Sequence, residues 1–136
     1  MADDGGLSKF QKRMAAIPLA ARAAVQPALA ASAYEIADII ESLAPEDDGD
    51  LKNSVAVTLA GQSTPAYSQP GGSQVVPENA AAITVGNTDV RYPHLVEHGT
   101  SKAAAQPFFW PGFRFGRKRA LDRIKRAVGK AIREAK

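Results

Sequence analysis

Residues 94–98, HLVEH, form the stretch whose residue types and spacing most directly suggest chemistry. In the H-x-x-E-H pattern of one class of zinc peptidase, two histidines four positions apart share a helix face and bind the metal, while the glutamate acts as the base. His94, His98 and Glu97 have this spacing. The reaction that this stretch would support is therefore metal-assisted hydrolysis.

The residues around this stretch favour a different interpretation. Gly99 follows at once and ends the helix, and the chain has no third histidine to complete a zinc site. Downstream carboxylates are limited to Asp122 and Glu134, both on a basic helix. The chain also lacks cysteine, a G-x-S-x-G turn and a glycine loop suited to phosphate. We predict that the protein is not an enzyme and needs no metal or cofactor, with a zinc hydrolase as the remote alternative.

Aromatic side chains are concentrated just after this stretch, at Phe108, Phe109, Trp110, Phe113 and Phe115. Aromatic residues interleaved with arginine can stack the bases of single-stranded nucleic acid. In a chain with few large side chains, they can instead bury the start of the last helix, and one of them can anchor in a neighbour's pocket. The sequence favours burial and leaves the other two interpretations open.

The charge of the chain is unevenly distributed. The net charge is +3, but residues 111–136 hold ten Lys/Arg against two Asp/Glu, whereas residues 1–110 hold seven against twelve. Spacing of 4-3-4-3 along the last helix predicts a basic ridge formed by Arg119, Arg123, Arg126, Lys130 and Arg133. This ridge can be solvated, can face an acidic protein partner, or can contact phosphates, and the last case makes a nucleic-acid-binding protein the alternative function.

An α+β fold is predicted to position these residues. Apolar residues repeat with helical period between residues 7 and 44, and Pro18 and Pro27 predict that this long N-terminal helix is kinked or restarts there. Residues 46–53, EDDGDLKN, are typical of an acidic turn. The length of 136 residues suits a single domain, with residues 1–6 predicted as a disordered tail. Few large side chains are available for the core, which favours an oligomer.

The second half of the chain is predicted to contain a small, mainly antiparallel sheet and two helices. Alternating apolar residues predict strands at residues 54–60 and 81–86, joined by a flexible loop or arm at 61–79 that is rich in Gly, Pro, Ser and Gln. A two-turn helix is expected over 93–98. A final amphipathic helix is expected from about residue 107, with an apolar stripe of Leu121, Ile124, Val128, Ile132 and Ala135.

Three segments in combination resemble the small neck and tail-component proteins of tailed bacteriophages. They are DGDLKNS at 48–54, YPHLVEHGT at 92–100 and AQPFFWP at 105–111. In that family a V-E-x-G-T segment is followed, after a short gap, by x-Q-P-F and a helix-starting proline. The resemblance covers roughly residues 30–125. Relatives more often carry an aromatic or other bulky residue in the place of His98, so the family pattern needs neither histidine.

The resemblance implies a structural protein of the head–tail connection of long-tailed phages. It implies a virion location, with the host cytoplasm as the compartment during assembly, and no association with a membrane. A hexameric ring is implied, one that completes or terminates the tail and joins it to the head. Its partners would be other neck and tail-tube proteins, with packaged DNA nearby in the channel.

The resemblance also suggests roles for particular residues. Glu97 is expected to pair with a basic residue, such as Arg114 or an arginine of the neighbouring subunit, and Gly99 is expected to end its helix in a left-handed conformation. The basic ridge is expected to face a partner. Contact with an adjacent ring is expected through Tyr67, Gln69, Gly71 and Gly72 of the 61–79 loop. The subunit interface is expected at Glu97, His98, Gly99, Thr100, Gln106, Pro107, Phe108, Phe109, Trp110 and Pro111.

Overall fold

A computed structural model describes residues 8–9, 12, 22–45, 49–101 and 104–134 of the chain. The elements are, in chain order, α1 (Gln26–Leu43), α2 (Asp50–Asn53), β1 (Ala56–Leu59), β2 (Ala81–Thr84), α3 (Pro93–His98) and α4 (Phe109–Glu134). Helices combined with one small antiparallel sheet confirm the α+β class. No helix in this described part of the chain is long and apolar enough to cross a membrane.

Helix α1 follows the predicted apolar stripe, since Leu29, Ala33, Ile36 and Ile40 are all buried. The interruption predicted at Pro27, a kink or a restart of the helix, is a restart. A turn at residues 24–25 precedes α1, and the proline occupies the first helical turn, where its missing N–H has no intrahelical partner to lose. The other predicted kink, at residue 18, and the predicted tail at 1–6 lie outside the described residues.

The segment predicted as an acidic turn contains one turn of helix, α2. Gly49 precedes it with a φ of 78°, and its carbonyl accepts the N–H of Asn53 at 3.0 Å. Leu51 is buried in the core, which gives this short helix an apolar anchor. The hydroxyl of Ser54 then donates to the carbonyl of Leu51 and accepts the N–H of Gly86, so α2 is fixed to the end of β2. Residues 46–48 of the acidic cluster are not among the described residues.

Strands β1 and β2 pair antiparallel, with Ala56 opposite Thr84 and Leu59 opposite Ala81. Both are shorter than predicted. Val55, Ile83 and Val85 pack into the core on the predicted face, but the buried residue within each strand is a threonine of the opposite face, Thr58 in β1 and Thr84 in β2. The connecting loop does not extend outward as an arm. It folds back on the protein, where Gln69 exchanges two backbone hydrogen bonds with Val85, of 2.8 and 3.0 Å, and Ser68 is fully buried.

Helix α4 packs against α1 with little space between the two backbones. The small residues Gly112, Gly116 and Ala120 recur every four positions on its buried face. A Cβ atom added to Gly112 would lie 2.6 Å from Ile40 Cγ1 and 2.9 Å from Ile40 Cα, and one added to Gly116 would lie 2.9 Å from Ile36 Cγ1. The sequence did predict that the last helix packs beside the first, but the close approach depends on these two glycines.

The face of α4 that is buried differs from the predicted apolar stripe. Val128 is fully buried as expected, but Leu121, Ile124 and Ile132 are only half-buried, and Ala135 lies outside the described residues. The predicted buried face was wrong because the prediction followed the large apolar side chains, whereas α4 contacts α1 through small residues. The main core that results contains Ile36, Ile40, Ala44, Leu51, Val85, Val90, Phe108, Phe109 and Ala120.

The close approach of the two helices predicts the effect of adding a single methyl group. Gly112→Ala should lower the free energy of unfolding by about 2 kcal/mol, because the methyl group meets the backbone of Ile40, which cannot rotate away. Chemical denaturation followed by circular dichroism measures the change.

Gly129→Ala is the matched control within the same helix. Its Cβ would meet only Arg133 Nη1 at 3.5 Å, so the higher helix propensity of alanine should raise the free energy of unfolding by about 1 kcal/mol. Equal effects of the two substitutions would show that α1 and α4 do not approach as closely as described.

Candidate functional site

The two segments that carry the family resemblance meet at the start of α4. The carboxylate of Glu97, on α3, is buried and accepts three backbone N–H groups of the second segment. Its Oε1 accepts the N–H of Phe108 at 3.0 Å and of Phe109 at 2.9 Å, and its Oε2 accepts the N–H of Trp110 at 3.3 Å. Glu97 thus caps α4 across a gap of eleven residues in the chain.

A carboxylate at this position stabilises the helix for two reasons. The first N–H groups of any helix have no intrahelical acceptor, and the helix dipole places partial positive charge there. A second backbone bond, from the N–H of Gln106 to the carbonyl of Val96 at 2.8 Å, holds the connection against α3. We expected Glu97 to pair with a basic residue such as Arg114. Within the described structure, its hydrogen-bond partners are backbone N–H groups instead.

Gly99 ends α3 and directs the chain toward this junction. Its N–H donates to the carbonyl of Leu95 at 2.8 Å, and its φ of 78° lies in the region that favours glycine. The accompanying ψ of 173° is extended, so the predicted left-handed helical conformation is wrong although the need for glycine is correct. A side chain at this position would strain the turn that places Glu97 beneath α4.

His94 and His98 are both exposed at the rim of a 250 Å³ cavity beside Glu97. The glutamate is committed to the backbone of α4 through both of its oxygens, and this leaves it poorly placed to act as a base. Among the described residues, no three His, Cys, Asp or Glu side chains are grouped so that they could hold a metal ion. The contacts of HLVEH are therefore those of a structural element.

The aromatic residues divide into a buried and an exposed group. Phe108 and Phe109 are buried in the core, as the sequence favoured. Trp110 is 40% exposed and makes edge-to-face contacts with Phe109 and Phe113, at centroid distances of 5.1 and 6.0 Å. Phe115 is 83% exposed. Of the predicted interface, Phe108 and Phe109 are thus internal to the protomer, while His98, Thr100, Gln106, Pro107 and Trp110 are exposed.

The basic ridge is partly used inside the protomer. Arg123 Nη2 lies 2.6 Å from Glu35 Oε2 and Arg119 Nε lies 3.3 Å from Glu35 Oε1, so a carboxylate of α1 holds two of the five ridge residues. Arg126, Lys130 and Arg133 remain exposed, with Lys130 4.0 Å from Glu134 of the same helix. The side chain of Arg119 also stays 76% exposed despite its pair, so Arg123, at 25%, is the ridge residue that Glu35 withdraws from the surface.

This pairing changes the acidity of Glu35. The hydrogen bond from Arg123, together with the positive charges of Arg119 and Arg123, holds the pKa of Glu35 below its ordinary value of 4.5, although partial burial opposes the shift. A lowered pKa means that the charged pair stabilises the folded protein at neutral pH.

The four loop residues expected to contact an adjacent ring lie in different environments. Tyr67 is 54% exposed, and the guanidinium carbon of Arg91 lies 3.7 Å from its ring centroid. Gln69 is tied through its backbone to Val85. Gly71 and Gly72 both have positive φ, and the tip they form is exposed or half-exposed. Of these four residues, Tyr67 and the two glycines of the tip are thus the ones that a partner can reach.

Two features were not predicted from the sequence: the close-packing glycines of α4, and the contacts that the carboxylates of Glu35 and Glu97 make with α4. The glycines at 112 and 116 are separated by the four-residue interval at which helices approach closely, and this spacing was a usable signal. The carboxylate contacts gave a weaker signal because their partners are distant in the chain. Glu35 lies 88 residues from Arg123, and Glu97 lies 11–13 residues from the N–H groups that it accepts.

Comparison with protein families places these features in context. Residues 8–99 match the family described as "Bacteriophage HK97-gp10, putative tail-component". The chain belongs to this family. The match confirms the resemblance to phage neck and tail proteins and identifies the chain as a phage tail component, a class of structural virion proteins. Among curated proteins and solved structures, no significant match is found.

Removal of the Glu97 carboxylate tests the junction. Glu97→Ala should lower the free energy of unfolding by about 2–3 kcal/mol, because two buried N–H groups and a third, partly buried one lose their acceptor. Glu97→Gln keeps one acceptor oxygen and should lose less. His98→Ala, at an exposed neighbour, should change the stability by less than about 0.5 kcal/mol. If Glu97→Ala matches His98→Ala in thermal and chemical denaturation, the cap does not hold α4.

The Glu35 pair predicts a specific dependence on pH. Since the pKa is lowered on folding, the pair contributes fully above about pH 4.5 and loses its contribution as pH falls through the folded-state pKa. Wild-type protein should therefore exceed Glu35→Gln in stability at neutral pH, and the difference should shrink in acid. Urea denaturation of both proteins over a pH series measures this, and a difference that grows in acid would contradict the assignment.

Proposed function

We propose that this tail component forms a hexameric ring in the neck of the virion, where it completes or terminates the tail and joins it to the head. Membership in the tail-component family supports a structural role in the tail. The observation that carries the ring is Phe115, which is 83% exposed on a helix whose neighbouring positions are cationic. A large aromatic side chain exposed on a helix is a candidate anchor for a pocket of a partner.

The charges on the two long helices support a contact between unlike surfaces. The outer side of α4 presents Arg126 and Arg133, while Asp38 is exposed on α1. Contacts between different patches of identical subunits are heterologous and close into rings when the rotation permits. The basic side of one subunit would therefore meet the acidic side of the next. The exposed interface residues named above, including His98 and Trp110, would belong to a second part of the subunit contact.

A protein partner suits the surface better than nucleic acid does. Arg123 pairs with Glu35 and its side chain is 25% exposed, so one of the five ridge cations is directed toward α1, and Arg119 beside it shares the same carboxylate. The 61–79 loop contains no lysine or arginine, and its exposed Tyr67 fits contact with an adjacent protein ring. Packaged DNA would pass through the channel near the subunits without being their main ligand.

The ring predicts a defined mass and a specific sensitivity to substitution. Native mass spectrometry of the purified protein should give an assembly of six subunits, and Phe115→Ser should weaken its association about tenfold or more because an apolar anchor is lost. Leu43→Ser, which removes a large apolar side chain 46% exposed at the end of α1 and about 140° around the helix from Asp38, is the control and should leave assembly unchanged.

Two results would oppose this function. One is a protein that stays monomeric at every concentration and is absent from purified particles. The other is a wild-type protein that assembles only on addition of DNA, since this would favour a nucleic-acid-binding role.

A further inference from the structure

An apolar groove of about 670 Å³ runs along one edge of the sheet. Its floor is α1, through Leu29, Ala33 and Ile36. One wall is β2, continued by the 70–77 part of the loop. The opposite wall is α4, through Trp110, Phe113, Arg117, Leu121 and Ile124. We call this the β2 groove.

The backbone of β2 presents unpaired hydrogen-bonding groups to this groove. Val85 exchanges both of its backbone hydrogen bonds with Gln69, on the side away from β1, whereas the N–H of Gly86 points toward Ser54 on the β1 side. Backbone polar groups alternate between the two edges of a strand. Ala81 and Ile83 therefore direct theirs toward the same edge as Val85. In the described structure the loop pairs with this edge only at Val85, because it turns away after Gln69.

Two side chains at the groove also have polar atoms without a partner. Thr84 is 2% exposed, and its Oγ1 makes no hydrogen bond in the described structure. The same is true of Asn79 Oδ1, and both residues line the groove. Buried polar atoms are rarely left unsatisfied. The free edge and these two atoms together indicate a ligand that brings its own backbone donors and acceptors.

The helical layer is wider than the sheet above it. Strands β1 and β2 pack on α1, but Leu121 and Ile124 on the groove side of α4 stay half-exposed. A third strand beside β2 would cover these residues and pair the free edge at the same time. The chemistry that fits the groove is therefore an extended peptide with apolar side chains, bound by strand addition.

We infer that this peptide is strand β1 of a neighbouring copy of the chain, so that the sheets of adjacent subunits join edge to edge. The inference rests on the proposed ring and names one of its contacts. By the same alternation, Val57 and Leu59 direct their backbone groups to the outer edge of β1, where the carbonyl of Leu59 already accepts the N–H of Gln62 at 3.1 Å but the groups of Val57 have no partner among the described residues. The two free edges belong to different strands, so each subunit can give one and receive the other. Such pairing is heterologous and closes as a ring, which removes both edges.

Charge complementarity supports antiparallel pairing between β2 and the neighbour's β1. Arg117 is the one charged side chain among the groove residues. Ile83 and Val85 pack in one cluster with Phe113 and Ala120, whereas Ala81 packs in the other with Ile124 and Val128, so the part of α4 that carries Arg117 lies toward the C-terminal end of β2. Antiparallel pairing would place the N-terminal end of the neighbour's β1 there. Three carboxylates, at positions 46, 47 and 48, precede that strand in the sequence.

This contact is separate from the one assigned to Phe115. Phe115 and Arg117 are two positions apart, so they point about 200° apart around α4. The ring would therefore use two surfaces of the helix, one toward the sheet of the neighbour and one away from it. The two contacts can be tested independently.

Disulfide trapping tests the strand pairing, because the chain has no cysteine of its own. Chains carrying Ala82→Cys are mixed with chains carrying either Ala56→Cys or Thr58→Cys, the two positions that the possible registers place opposite residue 82. These pairs would be non-hydrogen-bonded pairs of an antiparallel ladder, in which the two Cα atoms lie about 4.5 Å apart, and this distance suits a disulfide. A mixed disulfide dimer should form under mild oxidation in one of the two mixtures, and none should form from any variant alone.

Charge reversal in the groove provides a second readout. Arg117→Glu should weaken ring association about tenfold because it opposes the incoming carboxylates. Lys125→Glu makes the same change at an exposed position of the same helix that neither lines the groove nor adjoins Phe115, so it should have a much smaller effect.

The outcomes separate this inference from the ring itself. If rings form but no mixed disulfide appears and the two charge reversals behave alike, the strand pairing is wrong and the ring stands. If Ala82→Cys alone forms a disulfide dimer, β2 pairs with itself and the inference is also wrong. If wild-type protein never assembles, the proposed function fails first.

Discussion

The hydrogen bonds of Glu97 are the interaction on which the arrangement of the last helix depends. One carboxylate satisfies the first N–H groups of a 26-residue helix and fixes where that helix begins. With the start of α4 held, its glycines face Ile36 and Ile40 and its cationic side reaches Glu35. The contact between the two long helices therefore has three parts: a cap at one end, close backbone approach beside it, and an ion pair further along.

This dependence explains why residues that look catalytic in the sequence are structural. A glutamate between two histidines on a short helix has the composition of a metal motif. Its geometry is different, because the helix ends after one more residue and the carboxylate turns inward to the next helix. The side chain that would have been the base is used to neutralise the start of α4. The two histidines remain exposed on the surface, and the described structure gives neither of them a structural role.

The elements whose sequence signal is local and periodic were predicted correctly. The stripe of α1, the two strands, the helix at 93–98 and the glycine that ends it were all readable from spacing. The elements whose conformation depends on residues distant in the chain were not predicted. Helix α2 forms because Leu51 finds a place in the core, and the loop folds back because Gln69 pairs with Val85. The buried face of α4 was also misjudged, since close packing selected glycine and alanine over larger apolar residues.

The extent of the family match also bears on how the protein works. The matched region ends at Gly99, before Phe108 and the whole of α4. Yet Phe108, Phe109 and Ala120 belong to the main core with Ile36 and Val85, so the matched region cannot bury its own apolar surface without α4. The last helix is therefore part of the same folding unit. It contributes its buried face to the core and its exposed face, with Phe115 and the cations, to the contact proposed for the ring. A change that shifts α4 against α1 would thus alter stability and assembly together.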